Sequence, residues 1–247
     1  MKVFFMNKKQ LEESTITNST TSVLTFTYDD ETIEYIQNIL HHILDKYGKN
    51  YLYDSVYQVI HESVINCLKA NAKRIFFKEN CMDIHNQDDY ERGIKLFKKE
   101  ITTGKLRSYC AKGERDGLYV KIIFSYKVNG LKIEIINNLE ILKIEEERIR
   151  NKFAQGMKSL DLPTFFSSHS DNTEGEGLGI VLSLFVLKEN GIDPADFRIG
   201  SKNGVTKTRV EIPFNDTYIS ERKKFSKFDH PLTKHLPDTT DSDNQDG

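Results

Sequence analysis

The sequence predicts an α/β fold, because segments that alternate like strands are interleaved with segments of helical periodicity. The strand-like "SVLTFTY" (22–28) comes early, and residues 118–138 divide into two strands at an Asn-Gly turn. Residues 197–214, "FRIGSKNGVTKTRVEIPF", predict a closing hairpin.

Each intervening segment carries its own helix signals. An acidic start and Gly48 bound the first predicted helix, and the second runs from about Tyr51 to Phe76. Residues 143–160 predict a third helix, and a glycine-rich segment opens a fourth, apolar helix that stops at Gly191. The apolar stripe of the second helix comprises Val56, Ile60, Val64, Cys67 and Ile75.

The chain of 247 residues divides into one domain and its additions. Residues 1–20 are an N-terminal extension, residues 21–214 form the domain, and residues 215–247 are predicted to be a disordered polar tail. A helical insertion occupies about 79–117. Its apolar positions favour packing on the parent domain over a docking role; they are Tyr90, Ile94, Phe97 and Ile101.

Composition excludes several classes of function. A formal charge of −2 gives no overall field that attracts nucleic acid or an anionic membrane. The longest apolar stretch, "GIVLSLFVL", is far shorter than a membrane span. The chain start lacks the pattern of a signal peptide. The three cysteines form no CxxC pair, which favours reduced thiols, and we therefore predict a cytoplasmic protein.

The stretch "VIHESVINCLKANAKRIFF" (59–77) raises the question of what His61 does. No other histidine has ligand spacing with it, so a metal site is disfavoured. A His-Glu pair on a helix is also typical of a phosphoacceptor, but a strand and a helix precede His61 here, in place of a long helical hairpin. A histidine on the helix surface is the favoured interpretation.

A stripe of polar side chains on the same helix is a better candidate for a functional site. Glu62, Asn66, Lys69 and Lys73 recur at helical spacing and share one face. The Asn66 amide oxygen could bind Mg²⁺, which keeps most of its waters and takes few protein ligands. Glu62 could orient or deprotonate a water or hydroxyl, and Lys69 could reach a phosphate. Solvated helix faces often look the same, so the stripe is ambiguous when taken alone.

A glycine-rich helix start provides the second signal. In "EGEGLGI" three glycines stand where an apolar helix begins, namely Gly175, Gly177 and Gly179. Glycines allow close approach of a ligand to the backbone, and the unpaired amides of a first helical turn attract phosphate.

Together these motifs resemble the GHKL superfamily of ATP-binding domains, which includes histidine kinases, gyrase and MutL-type ATPases, and anti-sigma-factor kinases. "HESVINCLKANA" resembles the N box, "IEIINN" the strand before the first glycine box, and "GEGLGI" the second glycine box. "GVTKTRVEIP" resembles the last box, with Thr206 at the threonine position and Pro213 closing the strand. The resemblance covers roughly residues 20–214.

The resemblance implies a two-layer α/β sandwich whose mixed, mostly antiparallel sheet is covered on one face by helices. ATP would lie between the N-box helix and a mobile lid of about residues 140–176. Asn66 would hold Mg²⁺, Lys69 would contact phosphate, and Glu62 would be the catalytic base. The cofactor-binding residues of the two later boxes would be Gly175, Gly177, Leu178, Gly179 and Thr206.

The first glycine box departs from the family pattern. Asn137 stands at the position of the aspartate that accepts a hydrogen bond from the adenine amino group, and Leu139 stands at the first glycine. An amide both accepts and donates, so a flipped Asn137 could pair with guanine. We therefore expect Asn137 to contact the base with only a small preference for ATP over GTP.

Three functions are compatible with these motifs. The first is a protein kinase that phosphorylates a signalling partner, since the element order is closest to the anti-sigma-factor kinases. The second is a nucleotide-gated binding module without turnover, which the altered glycine box favours. The third is a conformational ATPase that forms a homodimer on ATP, as in the gyrase and MutL group.

Overall fold

The computed structural model describes residues 19–159, 162–163, 165 and 178–226. Five strands form one sheet in the order β1-β2-β3-β5-β4, and every pairing among them is antiparallel. The predicted two-layer α/β sandwich is confirmed, and among the described strands the sheet is wholly antiparallel, where a mixed sheet was expected. The strands are β1 (Ser19–Thr25), β2 (Val120–Lys127), β3 (Gly130–Asn137), β4 (Phe197–Lys202) and β5 (Val205–Pro213).

The helices begin and end close to their predicted signals. Asp29 caps the first helix by accepting a hydrogen bond from the Thr32 amide at 2.9 Å. The helices are α1 (Asp30–Lys46), α2 (Tyr53–Glu79), α3 (Gln87–Thr102), α4 (Leu106–Arg115), α5 (Lys143–Lys158), α6 (Leu178–Glu189) and α7 (Glu221–Ser226). In these described ranges no helix has both the length and the apolar content needed to cross a membrane.

The main core lies between the sheet and helices α1, α2 and α6. Side chains on β2 and β3 alternate between buried and half-buried, so one face of the sheet packs on the helices. Phe124 and Ile133, opposite each other in the register, are both fully buried. The predicted apolar stripe of α2 is also buried along its whole length, which confirms the helical periodicity.

The insertion is a pair of helices, α3 and α4, that packs on the second half of α2. Phe76 and Phe77 of α2 form a satellite core with Tyr90, Phe97 and Tyr109 from the insertion. Packing on the parent domain, the favoured interpretation, is therefore confirmed. Helix α4 was not predicted, because its sequence "LRSYCAKGER" is mostly polar and buries few large apolar side chains.

A glycine sets the distance between α3 and α2. A Cβ atom on Gly93 would overlap the Phe77 ring, with Cε1 only 2.8 Å away. We expect Gly93→Ala to lower the free energy of unfolding by about 1–3 kcal/mol, because overpacking exceeds the gain in helix propensity.

Gly113 in α4 provides the matched control for that substitution. It is also buried in a helix, but a Cβ there would meet Leu118 at an ordinary 3.7 Å. Gly113→Ala should therefore be neutral or stabilising by up to about 1 kcal/mol. Urea unfolding of the two variants tests the difference, and equal midpoints would contradict the tight packing of Gly93.

The chain stays on the sheet beyond the predicted start of the tail. The Tyr218 ring packs on Gly130, where a Cβ would clash with it, and its hydroxyl donates to Glu211 at 2.8 Å. The Glu221 amide donates to the same carboxylate at 2.9 Å. The predicted boundary at residue 215 is therefore wrong for residues 215–226, and residues 227–247 lie outside the described part of the chain.

Candidate functional site

A cavity of about 680 Å³ lies beside the second half of α2. Its walls come from α2, α3, α5 and the first turn of α6, together with the end of β3 and parts of β4 and β5. This volume is in the range of small-molecule sites. The sandwich fold thus brings the polar stripe of α2 and the altered glycine box to one place.

The predicted stripe lines the cavity. Glu62, Asn66, Lys69 and Lys73 all contribute to its wall, Glu62 half-buried and both Asn66 and Lys69 exposed. The predicted polar face of α2 is therefore confirmed: it presents a carboxylate, an amide and two ammonium groups to the same cavity.

His61 lies outside this stripe. Its ring packs against Tyr28 and Tyr57 at centroid distances of 5.2 and 6.1 Å, and Nδ1 lies 3.3 Å from the Tyr28 hydroxyl. The histidine does not line the cavity. This position agrees with the favoured interpretation of a histidine on the helix surface.

Glu62 meets the start of α6. A Cβ atom on Gly179 would lie 3.0 Å from Glu62 Cδ and still closer to its Oε2. Glycine at this position leaves room for the carboxylate, so the two motifs are in direct contact. Leu178 points elsewhere, into an apolar cluster with Phe165. Gly175 and Gly177 lie outside the described residues.

Asn137 is 98% buried at the end of β3 and lines the cavity. Its Nδ2 donates to the Cys67 carbonyl at 3.2 Å, while Oδ1 has no hydrogen-bond partner in the described structure. Turning the amide over would place two oxygens against each other. The expectation of a freely flipping amide is therefore wrong, and Asn137 presents an acceptor.

Thr206 has a structural role. It lies opposite Asn137 in the β3–β5 register, and its hydroxyl donates to the Leu139 carbonyl at 2.6 Å. Ser201 assists by accepting from the Ile141 amide at 3.0 Å. These bonds fix the connection between β3 and α5, including Leu139 at the position where the family pattern has a glycine.

The first turn of α5 is tied to α2 by buried charges. The Glu145 carboxylate forms an ion pair with Lys73 and lies 3.7 Å from Arg74 Nη2. Burial alone would raise the pKa of Glu145, but the two cations outweigh it and the pKa lies below its ordinary value. Residues 140–159 of the predicted lid thus form one wall of the cavity, and the mobility of the lid stays a prediction. Lys73 is committed to this ion pair.

Sequence reasoning missed the cavity residues on α3 and α5. Tyr90 and Lys98 come from α3, whose position beside the site depends on packing that no local pattern reveals. Arg148 and Lys152 stand one turn apart on α5 and could have been found from that spacing. Five cations and three carboxylates line the cavity, an excess of two positive charges: Lys69, Lys73, Lys98, Arg148 and Lys152 against Glu62, Glu140 and Glu145.

The two buried cysteines offer little reactivity. Burial raises the pKa of the Cys67 thiol to about 12 and that of Cys110 to about 11, so both stay protonated at neutral pH. Within the described ranges, no three His, Cys, Asp or Glu side chains form a group that could hold a metal ion.

Comparison with known proteins finds an uncharacterized protein from Treponema pallidum (strain Nichols). It is 32% identical to this chain over 194 residues, which is 78% of this chain and 38% of the relative. The chain thus spans about two fifths of that relative's length. No protein-family model matches the chain, and no solved structure matches it.

Proposed function

We propose that this chain is a cytoplasmic ATP-binding protein of the histidine kinase-like (GHKL) type that phosphorylates or regulates a protein partner in signalling. The observation that carries the proposal is Asn137. A buried amide held by one backbone bond, with its oxygen left unpaired, is costly unless a ligand donor satisfies it. The exocyclic amino group of adenine is such a donor.

The residues on α2 fit the other end of a nucleotide. Lys69 is an exposed cation beside Asn66, and its ammonium would contact phosphate oxygens. The Asn66 amide oxygen would be the protein ligand of a Mg²⁺ ion that the phosphates also hold. When bound, ATP with Mg²⁺ supplies an activated phosphoryl group whose charge the metal partly neutralises.

Glu62 is placed to handle a proton. Its carboxylate lies one helical turn from Asn66 and against Gly179, at the start of α6. From that position it would orient a water or an acceptor hydroxyl and take its proton. This role supports the assignment to a kinase or ATPase.

The second candidate is a binding module without turnover. The hydrogen bonds from Thr206 and Ser201 fix Leu139 and Ile141, and Glu145 fixes the first turn of α5. These contacts favour nucleotide binding without turnover.

Calorimetry with ATP, with and without Mg²⁺, tests the proposal. We expect binding that strengthens with Mg²⁺, and no binding up to millimolar nucleotide would refute it. Phosphate release, phosphotransfer to a co-purified partner, and tight binding with neither then distinguish ATPase, kinase and binding module. The partner would be sought by pull-down with and without ATP.

Two substitutions on α2 test whether nucleotide binding depends on Asn66 and is independent of His61. Asn66→Ala should weaken binding of Mg²⁺-ATP by about tenfold, the effect of losing one hydrogen bond or ligand to a charged group. His61→Ala should leave binding and any phosphotransfer close to wild type, because His61 lies outside the cavity. An acid-labile phosphate on His61 would contradict this assignment.

A further inference from the structure

We infer that the inserted helix α3 is part of the ligand site, where it forms with α5 a subsite for a polyphosphate chain. The inference deepens the proposed function and rests on it for the identity of the nucleotide. The recognition of phosphate itself is independent of the base. The subsite consists of Lys98, Arg148 and Lys152, with Tyr90 as its floor.

Cations reach this part of the cavity from separate helices. Lys98 projects from α3, while Arg148 and Lys152 share the cavity face of α5 with Gln155. Side chains from two helices thus line the same cavity. Because positive charge is in excess along the cavity, a polyanion gains by entering it.

Tyr90 gives the subsite a fixed floor. The side chain is 98% buried, and two cations lie near its ring, with Lys73 Nζ at 5.9 Å and Arg148 Cζ at 5.6 Å from the centroid. Its hydroxyl lies 3.5 Å from the Glu145 carboxylate, which is already paired with Lys73. Tyr90 is thus a positioning residue: it belongs to the insertion and holds Arg148 at the cavity.

The cavity is continuous between the acceptor of Asn137 and this subsite. A ligand that satisfies both ends carries a hydrogen-bond donor at one end and several negative charges at the other. Gln155 adds a buried acceptor, Oε1, unpaired within the described residues, which a ligand hydroxyl could satisfy. A nucleoside polyphosphate has this order of groups.

The test measures binding of three probes by calorimetry: tripolyphosphate, adenosine and ATP. We expect Lys98→Met to weaken tripolyphosphate and ATP by about tenfold while adenosine is unaffected, since a hydrogen bond to a charged group is lost. Lys95→Met is the matched control, because Lys95 is exposed on the same helix and does not line the cavity. Binding of tripolyphosphate should also weaken with salt.

Variants of Tyr90 distinguish a role in positioning Arg148 from a role in folding. Tyr90→Phe keeps the ring and should retain phosphate affinity, whereas Tyr90→Leu should lose it about as strongly as Arg148→Gln. Thermal unfolding identifies any variant that fails to fold, and Lys98→Met alone then decides. Equal ATP affinity in wild type and Lys98→Met would overturn the subsite while leaving the proposed function intact. Binding of tripolyphosphate without binding of ATP would refute the proposed function and leave the phosphate subsite intact.

Discussion

Replacing Glu145 by glutamine is expected to lower the free energy of unfolding by about 3 kcal/mol at neutral pH. The carboxylate is only 14% exposed and faces Lys73 and Arg74, with side chains 14% and 17% exposed. An amide of the same shape removes the negative charge and leaves both cations poorly solvated. The loss should appear as a lower denaturant midpoint with an unchanged slope.

The control is the next residue in the chain. Glu146 pairs with Arg150 at the surface, where the side chains are 48% and 75% exposed, so Glu146→Gln should cost less than about 0.5 kcal/mol. Similar midpoints for the two variants would show that Glu145 is not a buried charge.

The pH dependence of Glu145 has a definite sign. Because its folded pKa lies below the ordinary value of 4.5, its contribution to stability is present above pH 4.5. It is lost as the pH falls through the folded pKa. The difference between wild type and Glu145→Gln should therefore be full at pH 7 and shrink below pH 4.5.

The second large effect is expected from Asn137→Asp, which should destabilise the nucleotide-free protein by about 3 kcal/mol at neutral pH. The substitution places a carboxylate oxygen where Nδ2 now donates to the Cys67 carbonyl. An ionised carboxylate cannot donate, and the site is 98% buried. Burial and the facing carbonyl raise the pKa of the new carboxyl group.

The stability of this variant should depend on pH in the opposite direction. A carboxyl group with a raised folded pKa is protonated at low pH, where its hydroxyl can donate to Cys67 and stability approaches that of wild type. Destabilisation grows as the pH rises through that pKa. Asn137→Ser also removes the amide donor but carries no ionisable group, so its destabilisation should show no such dependence on pH.

Nucleotide binding to Asn137→Asp tests the role of residue 137 at the base. A carboxylate only accepts, so ATP should recover part of the lost stability and GTP should not. If ATP and GTP raise the midpoint equally, residue 137 does not contact the base edge.

The features that the sequence predicts correctly are those that depend on the spacing of residues within one helix or hairpin. The buried stripe and the polar stripe of α2 both follow from helical spacing. The β2–β3 hairpin is also found, but its two-residue loop is Val128-Asn129, one residue before the predicted Asn129-Gly130, because Lys127 pairs with Gly130. These features need no information about distant residues. The predicted placement of Glu62, Asn66 and Lys69 on one face of α2 is correct for the same reason.

The errors arise where a distant contact decides the structure. Residues 215–226 look like a polar tail, yet Tyr218 is held by Gly130 and Glu211. The Asn137 amide is fixed by a carbonyl 70 residues away, and Lys73 is paired with a carboxylate 72 residues away. Contacts between residues so far apart produce no periodic pattern in a single sequence, so they cannot be predicted from it.

The satellite core has a consequence for motion. Leu142 and Ile144, which begin α5, pack into the same cluster as α3 and α4, apart from the main core. One local opening therefore exposes the inserted helices and the near wall of the cavity together, as a single cooperative unit. Backbone amides of α3, α4 and the first turn of α5 should exchange with deuterium at one common opening free energy. That value is expected to lie below that of the strands, so the cavity admits its ligand without disturbing the sheet.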